Sequence, residues 1–136
     1  METEEIKAVK AFNEAINTAN AALLSSLMTE DHTFIDSGGT VVVGKEQMTE
    51  GWKGFWATFP DYRNEFEVVL QRDNMVAAFG TSHGTYNGKR GLVPENRIEM
   101  PAAWKAIVEN GKIKLWQVYA DWTVGSKIVE EDEKSG

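Results

Sequence analysis

The sequence predicts an α+β fold in which a curved antiparallel sheet wraps around N-terminal helices. Three observations predict it. Helical apolar periodicity is confined to the first half of the chain, and long runs rich in β-branched and aromatic residues fill the second. The last two of those runs flank Asn110-Gly111, a pair that tolerates the positive φ angles of a two-residue type I′ turn. That hairpin, Pro101 to Asp121, is the platform that the upstream residues must cover.

From Glu4 to about Ala19, the residues Ile6, Val9, Phe12, Ile16 and Ala19 recur at three- and four-residue spacings, one apolar stripe on a helix. Asn20 interrupts it, and 21–28 reads as a second, short helix. His32–Asp36 is a short strand closed by Ser37-Gly38-Gly39, and Thr40–Val43 a second. Gly44 opens the next helix, where Met48, Trp52, Phe55, Trp56 and Phe59 form a wide, heavy apolar face. Pro60 ends it, because its ring has no N–H to continue the ladder.

Four longer strands follow, over 63–71, 75–86, 97–109 and 112–123. Arg72-Asp73-Asn74 is a turn, and 87–94, with two glycines and a proline, is an excursion suited to a pocket rim. This organisation gives one domain over 1–123 and an acidic C-terminal tail over 124–136, where Glu130–Glu133 would solvate the terminus.

Composition narrows the function. The absence of cysteine excludes disulfides and thiolate chemistry, and a net charge of −7 argues against nucleic acid as a partner. An acidic start without an apolar core, and no run approaching the roughly 20 apolar residues of a membrane span, predict a cytoplasmic protein that does not engage a membrane. His32 and His83 lack metal-ligand spacing, so no metal site is expected. No glycine-rich phosphate loop is present, so no cofactor is expected. Five Trp, six Phe and three Tyr are many aromatics for 136 residues and suit an apolar cavity for a flat ligand.

Several stretches, taken in order, resemble a known group of proteins. They are Asp31–Asp36 followed by Gly39 and Gly44, Phe59–Arg63, Asn74–Gly80 with Gly84-Thr85-Tyr86, and Gly111–Ile113 with Trp116, Tyr119 and Asp121. Over about residues 4–123 the chain resembles the nuclear transport factor 2-like superfamily, and within it the SnoaL-like branch. The resemblance implies a cone-shaped, cystatin-like α+β domain with a deep apolar pocket, usually a homodimer through the outer sheet face. Such domains include polyketide cyclases, ketosteroid isomerases, scytalone dehydratase and limonene epoxide hydrolase, and others only bind ligands or proteins. Fold therefore does not assign function.

Three residues are candidates for catalysis: Asp36, His83 and Asp121. Asp36 follows apolar Phe34 and Ile35, walls that disfavour an ionised carboxyl and draw it toward a general base; alternatively it caps the glycine turn. The resemblance places the proton-shuttling Asp of the isomerases at this position. His83 shares a strand face with Phe79, Thr81 and Thr85, and is an acid/base if that face lines the cone. On the outer face it would meet solvent or a dimer partner. His32 reads as structural.

Asp121 stands where SnoaL-like cyclases place an acid/base carboxylate. Strict alternation, however, groups it with Leu115, Gln117 and Tyr119, opposite the more apolar Trp116, Val118, Ala120 and Trp122. Trp52, Trp56, Trp104 and Tyr119 are candidate walls of a substrate pocket, each with ordinary core packing as its alternative. Trp116 or Trp122 would join the dimer face if the alternation turns them outward.

Two activities of related domains lack their residues here. The isomerase oxyanion donors would fall near Phe12 and Ala103, and neither side chain can donate. The hydrolase Asp would fall at Val118, and its Arg-x-Asp pair is missing near Pro101–Ala103. The expectation is a cofactor-independent enzyme using acid/base chemistry on a small hydrophobic carbonyl compound, by cyclisation, isomerisation or dehydration. The alternative is a non-catalytic small-molecule-binding or dimeric interaction domain.

Overall fold

The computed structural model describes residues 2–135. The helices α1 (Glu4–Asn17) and α2 (Ala21–Ser26) come first, then β1 (Met28–Ile35), β2 (Val41–Val43) and α3 (Lys45–Thr58). Strands β3 (Arg63–Arg72), β4 (Met75–Thr85), β5 (Arg97–Glu109) and β6 (Lys112–Ala120) follow, and α4 (Thr123–Lys134) closes the chain. Thr3 caps α1 by accepting the Ile6 N–H at 3.2 Å, and Asn20 caps α2 by accepting the Leu23 N–H at 3.1 Å. The cap explains why Asn20 breaks the helical run. The second helix stops short of its expected end, because the Ile113 N–H bonds the Leu27 carbonyl at 2.7 Å and draws Met28 into the sheet.

The sheet has six strands in the order β2-β1-β6-β5-β4-β3, with β2 and β3 as open edges. It is curved but not closed, and it is mixed rather than wholly antiparallel: β1 runs parallel to β6, pairing Phe34 with Trp116. Parallel neighbours need a long crossover, and here nearly the whole domain lies between them. The central hairpin forms as the sequence predicts, with φ of 52° at Asn110 and 77° at Gly111. At β3 the register slips between Phe66 and Val68. A Cβ at Gly80 would lie 1.8 Å from the Glu65 carbonyl oxygen, so only glycine lets the strands approach where the bulge bends the sheet.

The concave face is apolar. Val9, Phe12 and Ile16 of α1 pack on Val76, Trp104, Ala106 and Trp116, all buried. Asn13 and Asn17 on the flank of α1 carry polar links: their Nδ2 groups donate to the Asn64 carbonyl at 3.2 and 3.0 Å, and Asn17 Oδ1 accepts the Asn64 N–H at 2.8 Å. These bonds replace the sheet partners that an edge strand lacks and fix α1 against β3.

His32 is fully buried beside Phe12, and its Nδ1 donates to the Ile113 carbonyl at 2.7 Å. Burial holds its pKa below the ordinary histidine value, outweighing the Ile113 bond and the Asp31 charge that favour the cation. The unfolded chain therefore binds more protons at this site. Stability is full above about pH 6.5 and falls as pH drops from there toward the depressed folded value. Urea midpoints between pH 7.5 and 5.5 should fall for the wild type and change less for His32→Gln.

Residues Thr123–Lys134, most of them in the segment expected as a solvated tail, form α4. Ile128 joins Phe59, Ile98 and Met100 in a second apolar cluster, and Asp132 is buried. Its carboxylate accepts the N–H groups of Lys89 and Arg90 at 2.7 and 2.9 Å and Asn96 Nδ2 at 2.9 Å, latching α4 onto the 87–94 excursion. Burial alone would raise the Asp132 pKa, but the Asn96 bond, the two backbone N–H groups and the Arg90 charge together hold it below the usual carboxylate range. A depressed folded pKa means that the latch is at full strength above about pH 4 and loosens as pH falls through the lower folded value. Protection factors of the Lys89 and Arg90 amides should fall in that acid range, and already at neutral pH in Asp132→Ala.

Candidate functional site

A cavity of about 680 Å³ opens between α3, the β1–β2 hairpin and the end of β6. Met48, Gly51, Trp52 and Phe55 reach it from a single stripe of α3, and Phe59 from the residue that caps the helix. Phe34, Asp36, Ser37, Gly38, Thr40 and Val42 line it from the hairpin, and Tyr62, Val118 and Trp122 complete it. The aromatic rings brace one another: Phe55 meets Tyr62 edge-on at 4.7 Å, and Phe59 meets Trp122 at 5.8 Å. Trp122 is in turn held by Gly125, where an added Cβ would lie 2.8 Å from the indole.

Asp36 is the one charged residue of this lining. Its Oδ1 accepts the N–H groups of Gly38 and Thr40, both at 2.9 Å, so the turn that follows β1 fixes the carboxylate at the cavity. Asp36 therefore caps the turn, and it also lines the cavity.

Tyr62 Oη lies 3.2 Å from Ser82 Oγ, and Ser82 Oγ donates to Asn64 Oδ1 at 2.7 Å. Ser82 has a single hydroxyl hydrogen, so the Tyr62 hydroxyl is the donor of their shared bond. Burial raises the pKa of Tyr62 above the ordinary tyrosine value, against the opposing bonds from Ser82 and Asn64.

The other catalytic candidates lie elsewhere. His83 is on the outer sheet face, its Nε2 3.1 Å from Glu65 Oε1 and its Nδ1 3.0 Å from an Arg97 guanidinium nitrogen. Asp121 is exposed at the start of α4, where its Oδ1 accepts the Thr123 hydroxyl at 2.5 Å and the Thr123 N–H at 3.0 Å. Those two bonds, the hydroxyl's first, hold its carboxyl below the usual range, the opposite of what a general base needs. Three carboxylate or imidazole groups that the sequence allowed in one site are thus dispersed over three surfaces.

Of the candidate walls, only Trp52 lines the cavity. Trp56 and Trp104 are buried in the core, and Tyr119 is half exposed on the outer face. Trp116 is buried and Trp122 turns to the cavity, so neither belongs to the outer face. The sequence offers the strand face with Trp122 as a possible cavity wall and puts Tyr62 near a mouth after Pro60, without singling out either as a lining residue. The signal for Trp122 was present in the alternation that grouped it with Val118; Tyr62 depends on how the chain re-enters the sheet after Pro60. Asp61 anchors that re-entry by accepting the Thr85 N–H at 2.6 Å and its hydroxyl at 2.7 Å. Among the described residues no group of three or more His, Asp or Glu is placed to hold a metal ion, and no helix is long and apolar enough to cross a membrane.

Helices packed into a curved six-stranded sheet, with a cavity between α3 and the sheet, define a nuclear transport factor 2-like domain. The SnoaL-like domain family matches residues 9–116, and the chain belongs to that family. No curated protein matches it. The fold is that of a putative SnoaL-like polyketide cyclase from Shewanella denitrificans (TM-score 0.83, 13% identity, 96% of this chain and 99% of that one covered). IdmH, a putative polyketide cyclase from Streptomyces antibioticus, is also similar (TM-score 0.78, 20% identity, 94% and 99% covered). So is a protein of ketosteroid isomerase-like fold from Catenulispora acidiphila in complex with trimethylamine (TM-score 0.78, 18% identity, 93% and 92% covered).

Proposed function

We propose that this chain binds a small, largely apolar molecule in the cavity between α3 and the β1–β2 hairpin. The observation that carries the reading is the cavity itself: about 680 Å³, walled by aromatic and aliphatic side chains, with one fixed carboxylate. The ligand held by the Catenulispora relative supports a small-molecule role for a domain of this shape.

Gly51 supplies a second argument. A glycine inside a helix costs up to about 1 kcal/mol relative to alanine, and a Cβ here would meet nothing nearer than Met48 Sδ at 3.8 Å. Packing does not require the glycine, and its effect is to keep the cavity open. Gly54, one turn along and off the lining, has open space around it and serves as a control. Gly51→Ala and Gly54→Ala should each stabilise the fold by about 0.5–1 kcal/mol in urea denaturation. Gly51→Leu should abolish the quenching of tryptophan fluorescence by 4-tert-butylphenol, and Gly54→Leu should not. Equal binding by both leucine variants would refute the cavity as the site.

Catalysis is the second reading, favoured by Asp36 on the cavity wall and by the cyclase relatives. In it Asp36 takes a proton from the carbon next to the carbonyl of a small hydrophobic substrate. Exchange of the 2-tetralone α-protons in D2O tests this: Asp36→Asn should slow any protein-catalysed exchange by about 10²–10⁴-fold. His83 and Asp121 enter only as controls, because neither reaches the cavity.

A homodimer through the outer sheet face belongs to the same proposal. Val68, Leu70, Phe79 and Tyr119 stand about half exposed there, a larger apolar display than scattered surface residues need. Light scattering should give twice the chain mass at micromolar concentration, and Leu70→Lys should reduce it to one.

A further inference from the structure

We infer that the ligand is an organic cation, an amine or quaternary ammonium compound with an apolar body. The inference rests on the binding reading above and adds the chemical class. No Lys, Arg or His lines the cavity, and its one charge is the Asp36 carboxylate. Backbone N–H groups hold Asp36 through Oδ1 alone, so Oδ2 has no protein partner among the described residues. Aromatic side chains make up much of the remaining lining: Phe34, Trp52, Phe55, Phe59, Tyr62 and Trp122. Ring faces carry negative electrostatic potential and attract a desolvated cation, most strongly at Trp and Tyr.

Tyr62 does not oppose this: its hydroxyl hydrogen is engaged by Ser82, so it has no proton to donate to an anion. Carboxylate and aromatic rings favour positive charge. An anion entering here would meet no cationic side chain and would lose its hydration uncompensated. The chain's formal charge of −7 further raises the local concentration of cations.

The test is calorimetric titration with two probes of one shape, (4-hydroxyphenyl)trimethylammonium and neutral 4-tert-butylphenol. The cation should bind the wild type at least about 10-fold more tightly. Asp36→Asn, whose side-chain oxygen can still accept the Gly38 and Thr40 N–H groups, should erase that preference. Asp121→Asn removes the same charge away from the cavity and should keep the preference, which separates local recognition from the overall field. Equal binding of both probes by the wild type overturns the cation and leaves the cavity as a site. Binding of neither overturns the cavity reading itself, and with it this one. A preference that survives in Asp36→Asn also overturns the proposal.

Discussion

Replacing Trp116 by alanine is expected to lower the free energy of unfolding by about 3–5 kcal/mol, the range for deleting a large buried aromatic. Trp116 is fully buried on β6, the strand between β1 and β5, and pairs with Phe34 on one side and Ala106 on the other. Its indole lies 4.7 Å from the Phe12 ring of α1, so it is the block on which helix and sheet meet. Neighbours on a sheet cannot collapse into the space left behind, because the ladder fixes their spacing. Equilibrium urea denaturation measures the loss, and Trp116→Phe should lose much less. A change below about 1 kcal/mol for the alanine variant would mean that the concave face is not the core.

Asn64→Ala is the second large effect. It takes from the Ser82 hydroxyl its acceptor Asn64 Oδ1 at 2.7 Å, and leaves buried Asn13 Oδ1, which Asn64 Nδ2 reaches at 3.3 Å, without that partner. An orphaned group of this kind costs about 1–3 kcal/mol. The backbone of residue 64 still pairs with Asn13 and Asn17, so α1 stays docked and the loss reports the side chain alone. The variant also frees Ser82 to donate to Tyr62, which changes the hydrogen-bond character of the cavity wall. Loss of stability without altered binding would show that Tyr62 does not touch the ligand.

Much of the fold was legible because local chemistry decides it. Asn110-Gly111 demands positive φ, Pro60 denies the helix a donor, and the Met48–Phe59 stripe has the helical period, so hairpin, helix end and buried face follow from the residues. The segment 124–136 was misread because its acidic run looks solvated. What buries Asp132 is three donors from a loop some forty residues away, and no local pattern announces them. The parallel pairing of β1 with β6 is equally non-local.

The site was legible in part for the same reason. Asp36 and Trp52 were found because a turn and a helix stripe place them. His83 could not be assigned a face without knowing which side of β4 meets α1, and Asp121 was drawn toward the site by resemblance while its own alternation placed it outside. Alternation grouped Trp122 with Val118 but its place rests on the packing of α4, and Tyr62 needed Asp61 against β4, contacts between distant stretches of chain.

The most direct test of the cavity as the ligand site is a map of amide chemical shifts in the protein saturated with 4-tert-butylphenol. Shifts are expected only in the Asp36–Thr40 turn, over Met48–Phe59, and at Tyr62, Val118 and Trp122. Shifts centred instead on Val68, Leu70, Phe79 and Tyr119 of the outer sheet face would contradict it.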